Sequence, residues 1–192
     1  QSTANRHPQQ QQKMKPPSKI QALVLSAITL LLIINFPLPT TAASKLVESI
    51  CKEVFGSSSS ISTCVKSIEF DPRSSSATNF HDLAKFALEA AITNATDSQN
   101  YINEMAKRNS TEPIKKCASL YEQVISSFKN ALIELDAGHD LADYYCLIAS
   151  DYSNECETLL ARSQIEVLSI SSRNNIIKFY SYFSAATIVK LH

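Results

Sequence analysis

Five cysteines are the residues best equipped for chemistry in this chain, and four of them fall into two pairs, each mirrored about its own turn. A cysteine can act as a nucleophile, a metal ligand or half of a disulfide, and its spacing and neighbours decide among these. Cys117 and Cys156 have their midpoint beside Ala137-Gly138, the one strong helix-stop signal in that region. Cys51 and Cys64 have theirs inside Gly56-Ser57-Ser58-Ser59-Ser60. Two residues equally far from a tight turn lie level across an antiparallel helix hairpin, so each pair can be bridged without bending the backbone. Cys146 mirrors onto Ser127 and is left as a free thiol; its neighbours Tyr144, Tyr145 and Leu147 are apolar, which suits a small buried side chain better than an activated nucleophile. No CxxC or HxxxH completes a zinc site around Cys117 and Cys156.

Other chemistry is thinly supplied. Only two glycines, Gly56 and Gly138, occur in the 192 residues, which excludes a dinucleotide-binding Gly-rich loop, a P-loop and a G-x-S-x-G nucleophile elbow. Of the four histidines, His81 and His139 are far apart in sequence and neither has a Cys or His at metal-ligand spacing, while His7 and His192 lie at the extremes. The carboxylates are scattered over polar helix faces. The expectation is a non-enzyme with no cofactor, no metal and no catalytic residues.

The elements that position the cysteines are helices. From Thr111 to Asp136, the apolar residues Ile114, Cys117, Tyr121, Val124, Phe128, Ala131 and Leu135 recur at three- and four-residue steps and form one stripe. Thr111 can cap this helix, Pro113 costs little in its first turn, and Gly138 can end it in the left-handed conformation. A second helix, Asp140 to Arg162, has the stripe Leu141, Tyr145, Ile148, Tyr152, Cys156 and Leu159, so both members of the Cys117–Cys156 pair face inward. Upstream, Asn79 to Lys107 carries Leu83, Phe86, Ala87, Ala90, Ala91, Ile102 and Met105; downstream, Arg173 to Leu191 carries Ile177, Tyr180, Phe183, Ile188 and Leu191. Four amphipathic helices with a short connection predict an all-α antiparallel four-helix bundle. Ahead of it, Lys45–Phe55 and Ile61–Ile68 are too short to persist alone and need the Cys51–Cys64 bridge to hold them as a helical hairpin.

Two disulfides imply an oxidising compartment. Met14, the basic Lys15 and Lys19, the apolar run Ile20 to Phe36 and the small residues Thr40 to Ala43 read as a signal peptide over 14–43, with 1–13 expected to be a non-native leader and 44–192 the mature domain. A membrane anchor is the alternative, and Pro37 and Pro39 argue for cleavage. Residues 1–43 hold four basic groups (Arg6, Lys13, Lys15, Lys19) and no acidic ones, so the remainder carries 14 basic against 18 acidic residues, a formal charge of −4. That balance disfavours nucleic acid as a partner, and no membrane contact is expected after signal cleavage. Asn109-Ser110-Thr111, in a predicted loop, and Asn94-Ala95-Thr96, on the margin of an apolar helix face, are candidate glycosylation sites.

Several short motifs accompany the cysteines: Ser49-Ile50-Cys51, Cys64-Val65-Lys66-Ser67, Asp71-Pro72-Arg73-Ser74, Asp82-Leu83-Ala84, Cys117-Ala118-Ser119-Leu120-Tyr121, Cys156-Glu157 and Ala185-Ala186-Thr187-Ile188-Val189-Lys190-Leu191. Together, over the whole mature chain, they resemble the plant invertase/pectin methylesterase inhibitor family, with Cys64-Val-Lys-Ser and Asp71-Pro-Arg-Ser closest to the invertase-inhibitor branch that includes plane-tree pollen allergens. The resemblance implies a secreted four-helix bundle with an N-terminal hairpin and the cysteine pairing given above. It also implies a non-covalent one-to-one complex that blocks the active-site cleft of an apoplastic or vacuolar invertase (a glycoside hydrolase), or of a pectin methylesterase. Invertase-inhibiting members carry Pro-Lys-Phe in the turn before the fourth cysteine's helix. Counting back from Cys156, those positions are His139, Asp140 and Leu141, the candidate partner-binding residues here. Leu141 keeps an apolar group, whereas Asp140 reverses the charge that would answer the carboxylates of an invertase site. A cleft that binds the polyanion pectin suits an acidic inhibitor better. Asp140 could instead simply cap its helix.

Two other roles share the scaffold: a secreted, non-inhibitory binding or allergen-like protein, suggested by the missing Pro-Lys-Phe, and a detached pro-region of a pectin methylesterase. The first is at odds with any enzyme complex, and the second requires a catalytic domain downstream of Leu191-His192.

Overall fold

The computed structural model describes residues 41–192, with side chains described from Lys45 onward; the leader and nearly all of the expected signal peptide lie outside the described residues. Six α-helices and one 3-10 turn are present among the described residues: α1 (Thr41–Phe55), α2 (Ser58–Glu69), the turn Pro72–Ser76, α3 (Phe80–Arg108), α4 (Glu112–Ala137), α5 (Ala142–Arg162) and α6 (Leu168–Val189). Helices α3 to α6 close a ring in which each packs on the next and α6 returns to α3. That is an up-down-up-down bundle. The hairpin α1–α2 docks on it chiefly through α1 against α6.

Each boundary has a local cause. The Asn79 side chain accepts from the Asp82 N–H at 2.9 Å and starts α3, while the Asp82 carboxylate accepts from the Thr78 hydroxyl at 2.8 Å. Those bonds, the Thr78 hydroxyl foremost, hold the Asp82 carboxyl below its usual range. Asp71 caps the 3-10 turn through the Arg73 N–H, and the Arg73 guanidinium grips the same carboxylate at 2.7 Å while reaching Glu89 of α3 at 3.3 Å. Arg73 also lies over the Phe86 ring at 5.4 Å. The Asp-Pro-Arg-Ser motif thus ties the hairpin to the bundle. Gly138 ends α4 at φ +69°, with its N–H bonded to the Leu135 carbonyl and the His139 N–H to the Glu134 carbonyl. This is the Schellman arrangement that the sequence predicts for a glycine there. Thr111 stands at the N-cap of α4, but its hydroxyl makes no capping bond and has no partner among the described residues.

Both expected bridges are present. Cys51–Cys64 joins α1 to α2 with Cα atoms 5.8 Å apart, and Cys117–Cys156 joins α4 to α5 at 4.8 Å. Cys146 is free and buried, and burial pushes its thiol well above the usual range.

Two apolar clusters divide the interior. One fills the bundle, with Tyr121, Phe128, Ile114 and Ile177 fully buried. The other lies under the hairpin and joins Val47, Ile50 and Ile68 to Leu83, Phe86 and Phe183. Helices α3 and α6 contribute to both, which explains why the second half of α6 is buried nearly all round.

The predicted stripe of α4 is buried at every position. That of α5 is offset by one residue. Ala142, Cys146, Ala149, Ser150, Ser153, Cys156 and Leu160 are buried, while Tyr145, Ile148, Tyr152 and Leu159 are half-buried flanks and Leu141 is exposed. The bridge draws α4 and α5 so close that only small side chains fit along their line of contact. Helix α6 begins at Leu168, five residues before the expected start, and Leu191 falls beyond its end.

Candidate functional site

The turn Gly138–Leu141 carries the three residues singled out from the sequence. Helix polarity puts it at the same end of the bundle as the start of α3 and the end of α6. Lys85 of α3 bridges to Asp136 of α4 at 2.9 Å, an interaction that raises the lysine's pKa, first through its hydrogen bond to Asp136. His192 approaches Asp140 at 3.5 Å, and Lys190 binds Glu53 of α1 at 2.6 Å.

The three residues are presented differently. His139 is turned back on α4, its Nδ1 lying 3.0 Å from Glu134 Oε2. Asp140 projects outward, 86 % exposed. It does not cap α5: Leu141 occupies the N-cap and no side chain bonds there. The helix starts one residue too late for Asp140, because the left-handed Gly138 and the turn at Asp140-Leu141 use up the intervening chain. The capping role weighed for Asp140 is therefore replaced by a free, outward carboxylate beside His192.

Leu141 starts an exposed apolar row. Leu141, Tyr144 and Leu147, at 52 %, 55 % and 41 % exposure, follow one another up the first turns of α5 at three-residue steps, and Val189 and Leu191 are exposed at the nearby end of α6. Apolar groups gathered round a charged turn are the composition of a protein-binding patch rather than of a catalytic pocket. Among the described residues, no group of three or more His, Cys, Asp or Glu side chains could hold a metal ion. The Cys146 thiol, buried and held protonated, cannot serve as a nucleophile.

A polar seam ties the bundle helices together toward the end away from this turn. Tyr121 of α4 donates to Asn174 Oδ1 of α6 at 2.9 Å, and Asn174 Nδ2 donates to Glu157 of α5 at 2.7 Å. Glu157 also accepts from Ser171 at 2.7 Å, and Arg173 reaches Ser98 of α3 at 3.3 Å while lying 4.2 Å over the Tyr101 ring. Burial raises the Tyr121 pKa far above the ordinary phenol value, so the hydroxyl keeps the proton that it donates to Asn174. This polar seam crosses all four bundle helices and was not anticipated from the sequence. Its one advance sign is Asn174, a polar residue four after Ile170 and three before Ile177 on the inward stripe of α6.

Residues 45–185 match the family model described as plant invertase/pectin methylesterase inhibitor. The chain belongs to that family. A curated member of known sequence, the cell wall/vacuolar inhibitor of fructosidase 2 of Arabidopsis thaliana, is 30% identical over 149 residues, covering 71% of this chain and 80% of the relative. Two solved structures of a pectin methylesterase inhibitor from Arabidopsis share the fold. One, a mutant form, has TM-score 0.64 and 18% identity over 74% of this chain and 95% of that one; the other has TM-score 0.57 and 19% identity over 78% and 97%.

The polar seam and the Cys117–Cys156 bridge together tie the bundle helices toward the end away from the 138–141 turn, while Cys51–Cys64 holds the N-terminal hairpin. The relatives that match are inhibitors, not enzymes. The two sequons occupy contrasting places. Asn109 is the exposed residue that ends α3, whereas Asn94 is half-buried within α3, its Nδ2 donating to the Ala90 carbonyl at 2.9 Å.

Proposed function

We propose that this chain is a secreted inhibitor, delivered to the cell wall or vacuole after loss of an N-terminal signal, that forms a non-covalent one-to-one complex with a fructosidase of the invertase type and blocks its active-site cleft. The observation that carries this reading is the patch around Gly138–Leu141, a row of exposed apolar side chains at one end of a bundle cross-linked between α4 and α5. A surface fixed before binding loses little conformational freedom on binding, which favours occlusion by shape without covalent chemistry. Family membership and the 30% identity to an inhibitor of fructosidase support this target class. The complex would bury Leu141, Tyr144 and Leu147 and place Asp140 at its edge or centre.

Asp140 favours a second target. A carboxylate offered to the carboxylates of a glycoside hydrolase lowers affinity, whereas a cleft built to hold the polyanion pectin is receptive to it. On that ground a pectin methylesterase is the alternative partner. Titration of the oxidised protein against a cell-wall fructosidase and a pectin methylesterase, from acidic to neutral pH, tests both. Saturable inhibition of the fructosidase at one equivalent is expected; inhibition of the esterase alone selects the second target, and inhibition of neither refutes the reading.

A further inference from the structure

Helix α2 packs on α1 and on the 3-10 turn, and an open groove of about 500 Å³ runs between α2 and α6. Its lining includes Phe179 and Tyr180, edge-to-face at 5.3 Å, with Ile176 and Lys66 alongside. Phe70, which is 90 % exposed, also lines it. Such a volume lies within the range that encloses small ligands, and the exposed Phe70 ring adds an aromatic face at its rim. Thr63 and Ser67 of α2 also line it, as does Asn94 of α3, the acceptor residue of Asn94-Ala95-Thr96.

We propose that Asn94 is N-glycosylated and that the proximal sugars of its own glycan occupy this groove. The modification forms a bond from Asn94 Nδ2 to C1 of an oligosaccharide. The donor's C1–O bond to its lipid diphosphate breaks, the diphosphate departs, and Nδ2 gives up one proton. Transfer precedes formation of α3, so the sequon's position inside a helix is no obstacle. The second amide hydrogen remains, and it can keep the bond to the Ala90 carbonyl that orients the side chain in the folded protein. An N-acetylhexosamine has a C–H face that stacks on aromatic rings and an edge of hydroxyl and acetamide groups. Phe70, Phe179 and Tyr180 supply the first contact, and the Lys66 ammonium and Tyr180 hydroxyl the second. Seated there, the glycan covers the exposed Phe70 and bridges α2, α3 and α6.

The test is glycopeptide mapping of the full chain secreted from plant or insect cells, followed by timed release with a peptide N-glycanase from native protein. Occupied Asn94 is expected, with release about tenfold slower than from Phe70→Ala, the factor that about 1.4 kcal/mol of seating supplies. Phe70 is solvent-exposed, so that variant should fold, and its circular dichroism spectrum verifies this. Unmodified Asn94 beside occupied Asn109 overturns the proposal while leaving secretion and inhibition untouched. Equal release rates from the native protein and Phe70→Ala overturn the seating.

Discussion

Replacing both Cys117 and Cys156 with alanine tests how much of the bundle's stability comes from its cross-link. The bridge closes a loop of 39 residues, for which the chain-entropy relation gives about 4 kcal/mol. Both sulfurs are fully buried on the α4–α5 contact, so their loss also leaves a small cavity costing about 1–2 kcal/mol more. For a domain of this length each kcal/mol corresponds to about 2–4 °C in Tm, so the double variant should melt roughly 10–20 °C below the parent. The shorter Cys51–Cys64 loop, of 13 residues, is worth about 3 kcal/mol, and its cluster lies under the hairpin rather than in the bundle. Removing it should therefore loosen 45–69 locally, with faster amide exchange there and little change in α4 and α5. Calorimetry and hydrogen exchange on the two double variants separate these effects. A Tm loss under about 5 °C for Cys117→Ala/Cys156→Ala, or a larger loss for Cys51→Ala/Cys64→Ala, would refute the division of labour between the bridges.

Asn174→Leu removes the acceptor of the Tyr121 hydroxyl and one of the two donors to the Glu157 carboxylate, and denaturant unfolding should show a loss of about 2–3 kcal/mol, against about 1 for Tyr121→Phe. Gly138→Ala meets no neighbouring atom, so its cost is the left-handed backbone alone, about 1 kcal/mol by the same assay. Asp71 and Asp82 have folded pKa values below their unfolded ones, led by the Arg73 and Thr78 hydrogen bonds. Their contribution is thus complete above the unfolded value of about 3.9 and disappears as pH falls through the folded one. The acid limb of a stability–pH curve should flatten in Asp71→Asn. Tyr121, Tyr180 and Cys146 are raised by burial, so their contribution is intact below their unfolded values of about 8.5–10 and is lost as pH rises beyond them. Tyr121→Phe should flatten that alkaline limb. Asp140→Lys should tighten binding to a fructosidase about tenfold or more and weaken binding to a pectin methylesterase, as inhibition constants would show.

The features legible in the sequence were those written by repetition or symmetry. The cysteine midpoints gave both bridges because the turns at Gly56 and Gly138 are sharp and the flanking helices regular. The α4 stripe was legible because its inward residues are large and apolar. The α5 stripe was misplaced by one position because its true contact line is alanine, serine and cysteine, which a hydrophobicity pattern passes over in favour of the bulkier flanks. The start of α6 was missed for a similar reason: Ser169, Ser171 and Ser172 resemble a linker, yet Ser169 and Ser171 hydrogen-bond to Tyr101 and Glu157. The polar seam depends on partners 14 to 75 residues apart, a relation that no local pattern contains. At the turn, the sequence located Asp140 but not its exposure, since a cap and a free carboxylate read alike until the first turn of the helix is known.

The central claim is that a rigid end of this bundle occupies an enzyme's cleft. Hydrogen-exchange footprinting of the oxidised protein, free and saturated with the enzyme it inhibits, addresses it most directly. New protection concentrated at 138–147 and the end of α6, with the far end at Asn109–Ile114 unchanged, is the expected result. An inhibited complex whose footprint leaves 138–147 unprotected would contradict it.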